Sequence, residues 1–128
     1  MSWCRFSTIC ENNKSADIYL YEDVAGGVTV HLASKRRLNE ELAPRMPNLS
    51  DVTPAEWIMA NHKREDWLGD NAPFVEIYLP YAGKTHNFTK KEKLLKFLDK
   101  LKELGYNFPE HVFEIANEWK ESGNKHEL

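Results

Sequence analysis

Hydrophobic and polar positions alternate most regularly along "DIYLYEDVAGGVTVHLAS", residues 17–34, where two alternating runs flank a pair of glycines. The aliphatic side chains share one parity in the two runs: Ile18, Leu20, Val24, Val28, Val30 and Leu32. The opposite parity belongs to Tyr19, Tyr21, Thr29 and His31. A period of two is typical of strands with one buried face, so the pattern predicts a β-hairpin.

The length of the hairpin loop determines which residues face each other across the two strands. A two-residue loop at positions 26–27 would pair Glu22 with His31. A three-residue loop over residues 25–27 pairs Tyr21 with His31 and places all six aliphatic side chains on one face. We favour the three-residue loop, because each buried aliphatic side chain contributes about 1.5–3 kcal/mol.

A helix is predicted to begin at "TPAE", residues 53–56. Thr53 can cap, a proline suits the first helical position, and Glu56 completes a capping box. The helix is expected to run to about Leu68 and to end at Gly69. Its buried stripe is expected to contain Trp57, Ile58, Trp67 and Leu68. The side chains expected to face mostly water are His62, Lys63, Arg64 and Glu65.

Two more helices are predicted in the last third of the chain. "TKKE", residues 89–92, offers a second capping box, and apolar residues then recur at helical spacing until Gly105. That apolar stripe consists of Leu94, Leu95, Phe97, Leu98, Leu101 and Leu104. Pro109 suits the first position of a last helix, which contains Val112, Phe113, Ala116 and Trp119. The two helices are expected to form an antiparallel hairpin.

Two shorter strands are expected at residues 3–9 and 74–80, whereas "YAGKTHN", residues 81–87, is expected to be a loop. The elements together predict an α+β fold. It would contain a small antiparallel sheet of three to four strands, about three helices packed on it, and a C-terminal helical hairpin. The length of 128 residues favours one domain over residues 1–128.

Composition narrows the class of protein. The formal net charge of −3 gives no reason to expect sequence-independent nucleic-acid binding. A run of lysines between residues 90 and 102 is interpreted as a solvated helix face. No apolar run approaches the roughly 20 residues that span a membrane. The N-terminus does not have the pattern of a signal peptide, so we expect a cytoplasmic protein that does not contact membranes.

No motif for catalysis or cofactor binding is present. Cys4 and Cys10 could join His31 or His62 as zinc ligands, but the separation of the two cysteines is not that of a close ligand pair. We therefore predict no catalytic residue, no metal and no cofactor. A binding protein is favoured over an enzyme.

Two groups of residues are candidates for binding. The first is Tyr19, Tyr21 and His31 on the outer face of the hairpin, where the favoured interpretation is packing beneath a helix and the alternative is an open binding surface. The second group belongs to a polar, proline-containing connection expected to run over the surface. It comprises Lys35, Arg36, Arg37 and Arg45.

Three segments, "MSWCRFS", "DIYLYEDVAGGVTVHLAS" and "LPYAGKTHN…LLKFLDKLKELGYNFPEHVFE", give the chain a family resemblance. It resembles small proteins encoded by bacteriophages and prophages, over most of its length except residues 38–51. The resemblance implies a phage context but no mechanism. It leads us to expect a non-catalytic binder or inhibitor of a host protein, for example an antagonist of an antiviral defence system such as a CRISPR effector.

Three alternatives stay open at this point. The first is a small enzyme or ligand-binding protein that uses the Tyr19, Tyr21 and His31 face. The second is a nucleic-acid-associated phage protein that uses the lysine-rich helix. Self-association of the chain is also left open.

Overall fold

The computed structural model describes residues 2–120, with side chains from residue 5 onward. The elements in chain order are β1 (Ser2–Cys4), β2 (Ile18–Glu22), β3 (Val28–Leu32), β4 (Lys35–Arg37), a 3-10 helix (Glu40–Leu42), α1 (Pro54–Asn71), β5 (Phe74–Glu76), β6 (Thr85–Phe88), α2 (Lys91–Leu104) and α3 (His111–Glu118). One antiparallel sheet has the strand order β1-β2-β3-β6, and β4 and β5 form a second, two-stranded sheet. The α+β class predicted from the sequence is confirmed.

The core lies on one face of the four-stranded sheet, between that face and the last two helices. Alternation along β2 and β3 supplies one half of the core, and the apolar stripes of α2 and α3 supply the other. The fully buried members are Ile18, Leu20, Val28, Val30, Leu94, Leu98, Leu101, Val112 and Ala116. The predicted aliphatic face is therefore confirmed for every member except Val24, which is fully exposed in the hairpin loop.

The β2–β3 hairpin closes through a three-residue loop, but the loop lies one residue earlier than predicted. The Asp23 N–H donates to the Gly27 carbonyl at 2.8 Å, which leaves residues 24–26 as the loop. The observed register pairs Tyr19 with His31 and Tyr21 with Thr29, so the predicted pairing of Tyr21 with His31 is wrong. The register shifts by two residues, and each residue consequently keeps its predicted face.

The Asp23 side chain explains why the loop closes at this position. Its Oδ1 accepts the N–H groups of Ala25 and Gly27, both at 3.0 Å. Gly26 adopts the left-handed conformation at φ 88°, as a three-residue hairpin loop requires. Gly27 has a separate role, because a Cβ there would lie 2.8 Å from the Phe88 carbonyl of the neighbouring strand.

The other strands depart from prediction in three ways. β1 ends at Cys4, and beyond it the chain turns instead of continuing as a strand to Ile9. β5 ends at Glu76 and pairs with β4 in the second sheet. Three of the four residues of β6 belong to residues 81–87, the segment predicted as a loop. The side of β6 that faces α2 carries His86 instead of an aliphatic residue. The alternation of hydrophobic and polar residues that is typical of a strand is therefore not evident in the sequence.

Helix α1 begins as predicted. Thr53 accepts the Glu56 N–H, and the Glu56 side chain accepts the Thr53 N–H, which completes the capping box. The helix continues through Gly69 to Asn71, and Gly69 does not adopt the left-handed conformation with which a glycine ends a helix. Arg64 was expected to face water, but it is 1% exposed and lies at the centre of the buried stripe. Ile58, expected to be buried, is 52% exposed.

Helices α2 and α3 follow each other and are in contact. The capping box predicted at residues 89–92 is absent, because Lys90 is the N-cap and no side chain caps the helix there. Gly105 ends α2 as predicted, with φ 106° and its N–H directed to the carbonyls of the last turn. Helix α3 begins at His111, two residues after Pro109.

Thr53→Ala is expected to lower the free energy of unfolding by about 1 kcal/mol. The substitution removes the hydroxyl that accepts the Glu56 N–H at 3.2 Å and leaves one N–H of the first helical turn without its acceptor. Urea denaturation measures the effect, with Thr53→Ser as a control that retains the hydroxyl. Equal stability of the two variants would contradict a role for this cap.

Candidate functional site

Four aromatic rings lie together on the face of the four-stranded sheet opposite the core. We call Phe6, Tyr19, Tyr21 and His31 the aromatic face. The ring centroids of Tyr19 lie 5.8 Å from Phe6, 5.5 Å from Tyr21 and 6.1 Å from His31, in edge-to-face arrangements. Strand alternation brings the last three together, whereas Phe6 reaches them from the turn that follows β1.

Hydrogen bonds hold the His31 ring in one orientation. Its Nδ1 lies 2.7 Å from Thr85 Oγ1, and its Nε2 lies 3.2 Å from the Tyr21 hydroxyl. These partners belong to strands, and both Tyr21 and His31 are only half-buried. Within residues 5–120, the rings of Tyr21 and His31 contact strand residues and no helix, contrary to the favoured expectation, and both rings are partly accessible to a partner.

The outer face continues beyond β2 to a buried carboxylate. The Ala33 N–H donates to the Asp17 carbonyl at 2.8 Å, which extends the β2–β3 ladder by one pair. The Asp17 side chain, 3% exposed, accepts from Arg36 Nη2 and from the Asn107 N–H, both at 2.7 Å. Burial raises the pKa of Asp17, and the Asn107 N–H and the Arg36 charge only partly offset that effect.

A cavity of about 280 Å³ adjoins this carboxylate, and we call it the cationic cleft. Its charged lining residues are Lys35, Arg36, Arg37, Asp17 and Glu40. Its apolar walls are Phe6, Phe74, Ala16 and Ala33. Phe6 belongs to both surfaces, because its ring contacts Tyr19 and also lines the cavity. The aromatic face and the cationic cleft are therefore adjacent parts of one surface.

Three of the four basic residues predicted as contacts line the cleft together, and Arg45 lies outside it. Arg37 Nη1 donates to the carbonyls of Leu68 and Ala72 at the end of α1, and its guanidinium lies 4.2 Å from the Phe74 ring centroid. Arg45 donates to the Glu11 carbonyl and is not part of the lining of the cleft. The connection predicted as a surface loop in fact contains β4 and the 3-10 helix, which position Lys35, Arg36 and Arg37 at the cleft.

A buried polar cluster behind the cleft was not predicted. Arg64 donates to Asn13 Oδ1 at 2.7 Å and lies 3.9 Å from Glu40 Oε2. Glu40, 5% exposed, also accepts the Ser15 N–H at 2.9 Å and the Ser15 hydroxyl at 2.5 Å. Helical spacing could have predicted the burial of Arg64, because Arg64 lies on the same side of α1 as Trp57 and Leu68. The residues adjacent to Arg64 in the sequence are charged and suggested an exposed position instead.

His86 lies on the core side of the sheet, within an aromatic group. Its ring centroid is 4.6 Å from that of Phe97 and 5.3 Å from that of Tyr81. Its Nε2 is buried without a hydrogen-bond partner. Burial, with a smaller contribution from the nearby Lys84 charge, lowers the pKa of His86 below its usual value.

Stability is expected to fall with acidification below about pH 6.5, the usual histidine pKa, partly because of His86. As the pH falls, His86 is protonated in the unfolded chain before it is protonated in the folded chain, because its pKa is lower in the folded chain. Stability therefore continues to fall until the pH reaches the pKa of His86 in the folded chain. His86→Phe keeps a ring in place and should show a smaller loss between about pH 7 and pH 5. If urea denaturation showed the same dependence of stability on pH for the wild type and for His86→Phe, the prediction would be contradicted.

The described part of the chain contains neither a candidate metal-ligand cluster nor a candidate membrane-spanning helix. No group of three or more His, Cys, Asp and Glu side chains there could hold a metal ion. Cys10 is half-buried, whereas the Cys4 side chain lies outside the described residues. None of the helices within residues 2–120 is long and apolar enough to cross a membrane.

Several of the lysines on α2 interact with groups of this chain. Lys96 pairs with Glu92 at 3.1 Å, and Lys102 pairs with Glu110 at 3.4 Å. Lys91 Nζ donates to the Asn117 carbonyl at 2.6 Å. These contacts support the interpretation of the lysine run as an ordinary helix surface.

Comparison with known proteins gives no relative for this arrangement. No protein-family model matches the sequence, and searches of curated proteins and of solved structures find no significant similarity. Functional inference therefore depends on the aromatic face and the cationic cleft themselves.

Proposed function

We propose that this chain is a non-catalytic binding protein that contacts a protein partner through the aromatic face and the cationic cleft. The observation that carries the proposal is the shared position of Phe6, which joins half-buried Tyr19, Tyr21 and His31 to the arginine-lined cleft. Tyrosine and arginine are enriched at the energetically dominant positions of protein interfaces. A rigid sheet also presents such residues at a low cost in conformational entropy.

The polar groups in this surface favour binding over catalysis. Asp17 is held by Arg36 and the Asn107 N–H, and Glu40 is held by the N–H and hydroxyl of Ser15. The two ring nitrogens of His31 each have a neighbouring hydroxyl. The two carboxylates and the imidazole are thus each engaged in contacts within the fold.

The proposed partner is a host protein. The resemblance to phage and prophage proteins supports a phage accessory role in the bacterial cytoplasm. Antiviral defence proteins, including CRISPR effectors, are the first candidates because inhibition of such proteins requires binding and no chemistry. A panel of purified defence effectors from one host can be screened for binding and for loss of nuclease activity.

Tyr21→Ala is expected to weaken partner binding about 30-fold, equivalent to ~2 kcal/mol, with a stability loss of about 1 kcal/mol or less. The variant removes a ring that contacts both Tyr19 and His31 on the accessible face. Affinity is measured by calorimetry with the partner identified in the screen. Tyr78→Ala is the matched control, because Tyr78 is 89% exposed and lies outside both surfaces.

Two results would contradict the proposed function. The first is wild-type affinity in both Tyr21→Ala and His31→Ala, which would remove the aromatic face from the interface. The second is the capture of nucleic acid alone from host lysate by the tagged wild-type chain, which would favour the nucleic-acid alternative.

A further inference from the structure

The two carboxylates of the cationic cleft are already matched by groups of this chain. Asp17 forms an ion pair with Arg36 at 2.7 Å, and Glu40 binds Ser15 with Arg64 3.9 Å away. The positive charge contributed by Lys35 and Arg37 is therefore not balanced by an acidic side chain within the cleft. An excess of positive charge in a concave, partly desolvated site attracts an anion.

Among residues 5–120, several donors of the side chains that line the cleft have no protein acceptor. Lys35 is exposed and faces Glu76 across the β4–β5 ladder, but among the described residues the two form no ion pair. Within that part of the chain, Arg37 donates hydrogen bonds through Nη1 alone, and Arg36 donates through Nη2 alone. The Arg36 Nε proton also has no partner there, but it is shielded from solvent. Guanidinium groups with free donors suit the geometry of a carboxylate.

The walls and the size of the cleft restrict the ligand further. Phe6 and Phe74 supply two aromatic rings, and Phe74 is 61% exposed although Arg37 lies against its ring. The volume of about 280 Å³ is at the lower limit for ligand pockets, so it suits one side chain or a very small acid.

We propose that the cationic cleft binds a carboxylate, supplied by an acidic side chain of the protein partner beside an aromatic or aliphatic residue. The carboxylate contacts Lys35 and the free donors of Arg36 and Arg37, and the apolar neighbour packs on Phe6 and Phe74. The inference rests on the proposed function, because it assigns the chemistry of the partner at the same surface.

A peptide titration tests the carboxylate without the partner. The ¹⁵N-labelled protein is titrated with acetyl-Glu-Phe-amide and with acetyl-Gln-Phe-amide, which has the same shape and no charge. We expect saturable amide shifts at Lys35–Arg37 and Phe74, and about tenfold weaker binding of the neutral peptide. Lys35→Glu should weaken binding of the acidic peptide by a similar factor. Lys63→Glu, an exposed control on α1, should leave it unchanged.

Two outcomes of the titration would overturn the inference. Equal affinity for the acidic and neutral peptides, or no shifts at the cleft, shows that the cleft does not select a carboxylate. Sodium benzoate distinguishes the source of the acid. If benzoate binds the cleft tenfold more tightly than the acidic peptide, the ligand is a small aromatic acid instead of a partner side chain.

The identified partner separates this inference from the proposed function. We expect Lys35→Glu to weaken partner binding about tenfold and Lys63→Glu to leave it unchanged. Wild-type affinity of Lys35→Glu, with clear loss in Tyr21→Ala, would overturn the carboxylate site and leave the proposed function intact. Wild-type affinity in both variants would overturn both.

Discussion

Arg64→Met is expected to lower the free energy of unfolding by about 3–5 kcal/mol, which is a large part of the stability of a typical small domain. The guanidinium is 1% exposed and joins segments far apart in sequence. It donates to Asn13 Oδ1 and the Asn13 carbonyl at 2.7 and 3.0 Å, and to the Pro44 carbonyl at 2.9 Å. Methionine fills similar space but leaves these acceptors without a donor and the buried Glu40 without its nearby charge.

Urea denaturation of paired variants tests the role of Arg64. Lys63→Met is the control, because Lys63 is the preceding residue of the same helix and is exposed, and we expect a change within about 0.5 kcal/mol. Adding Glu40→Gln to Arg64→Met should restore part of the loss, since the unbalanced charge is removed. A loss below about 1 kcal/mol in Arg64→Met would show that the cluster does not hold these segments together.

Arg64 illustrates what the sequence could not predict. Judged from its neighbours in sequence alone, an arginine between a lysine and a glutamate is expected on the solvent side of a helix. That expectation fails here because the acceptor, Asn13, is 51 residues away and adopts a left-handed conformation at φ 64°. In contrast, Thr53 and Gly105 were predicted correctly, because a capping box and a left-handed helix end depend only on residues within one turn.

The candidate site was predictable to the extent that it follows from strand alternation. A period of two placed Tyr19, Tyr21 and His31 on one face even though the register was two residues in error. Phe6 and Asp17 were not predicted as site residues. Phe6 arrives through the turns after β1, and the environment of Asp17 depends on contacts with Arg36 and Asn107. Such contacts between distant segments have no local signature.

Leu98→Ala is expected to lower the free energy of unfolding by about 2–5 kcal/mol. Leu98 is fully buried in α2, as are Leu94 one turn before it and Leu101 almost one turn after it. All three belong to the core between the helices and the sheet, so truncation leaves a cavity that neighbouring side chains can fill only in part. The size of the stability loss within that range depends on how far α2 can move toward β2 and β3 to fill the cavity.

A second leucine separates loss of packing from a mere change in composition. Leu49→Ala is the control, because Leu49 is 68% exposed, and its stability should change by no more than about 0.5 kcal/mol. The aromatic face lies on the other side of the sheet from Leu98. Folded Leu98→Ala protein should therefore bind the partner with wild-type affinity, whereas Tyr21→Ala should not. A stability loss below about 1 kcal/mol in Leu98→Ala would show that the α2 stripe is not tightly packed against the sheet.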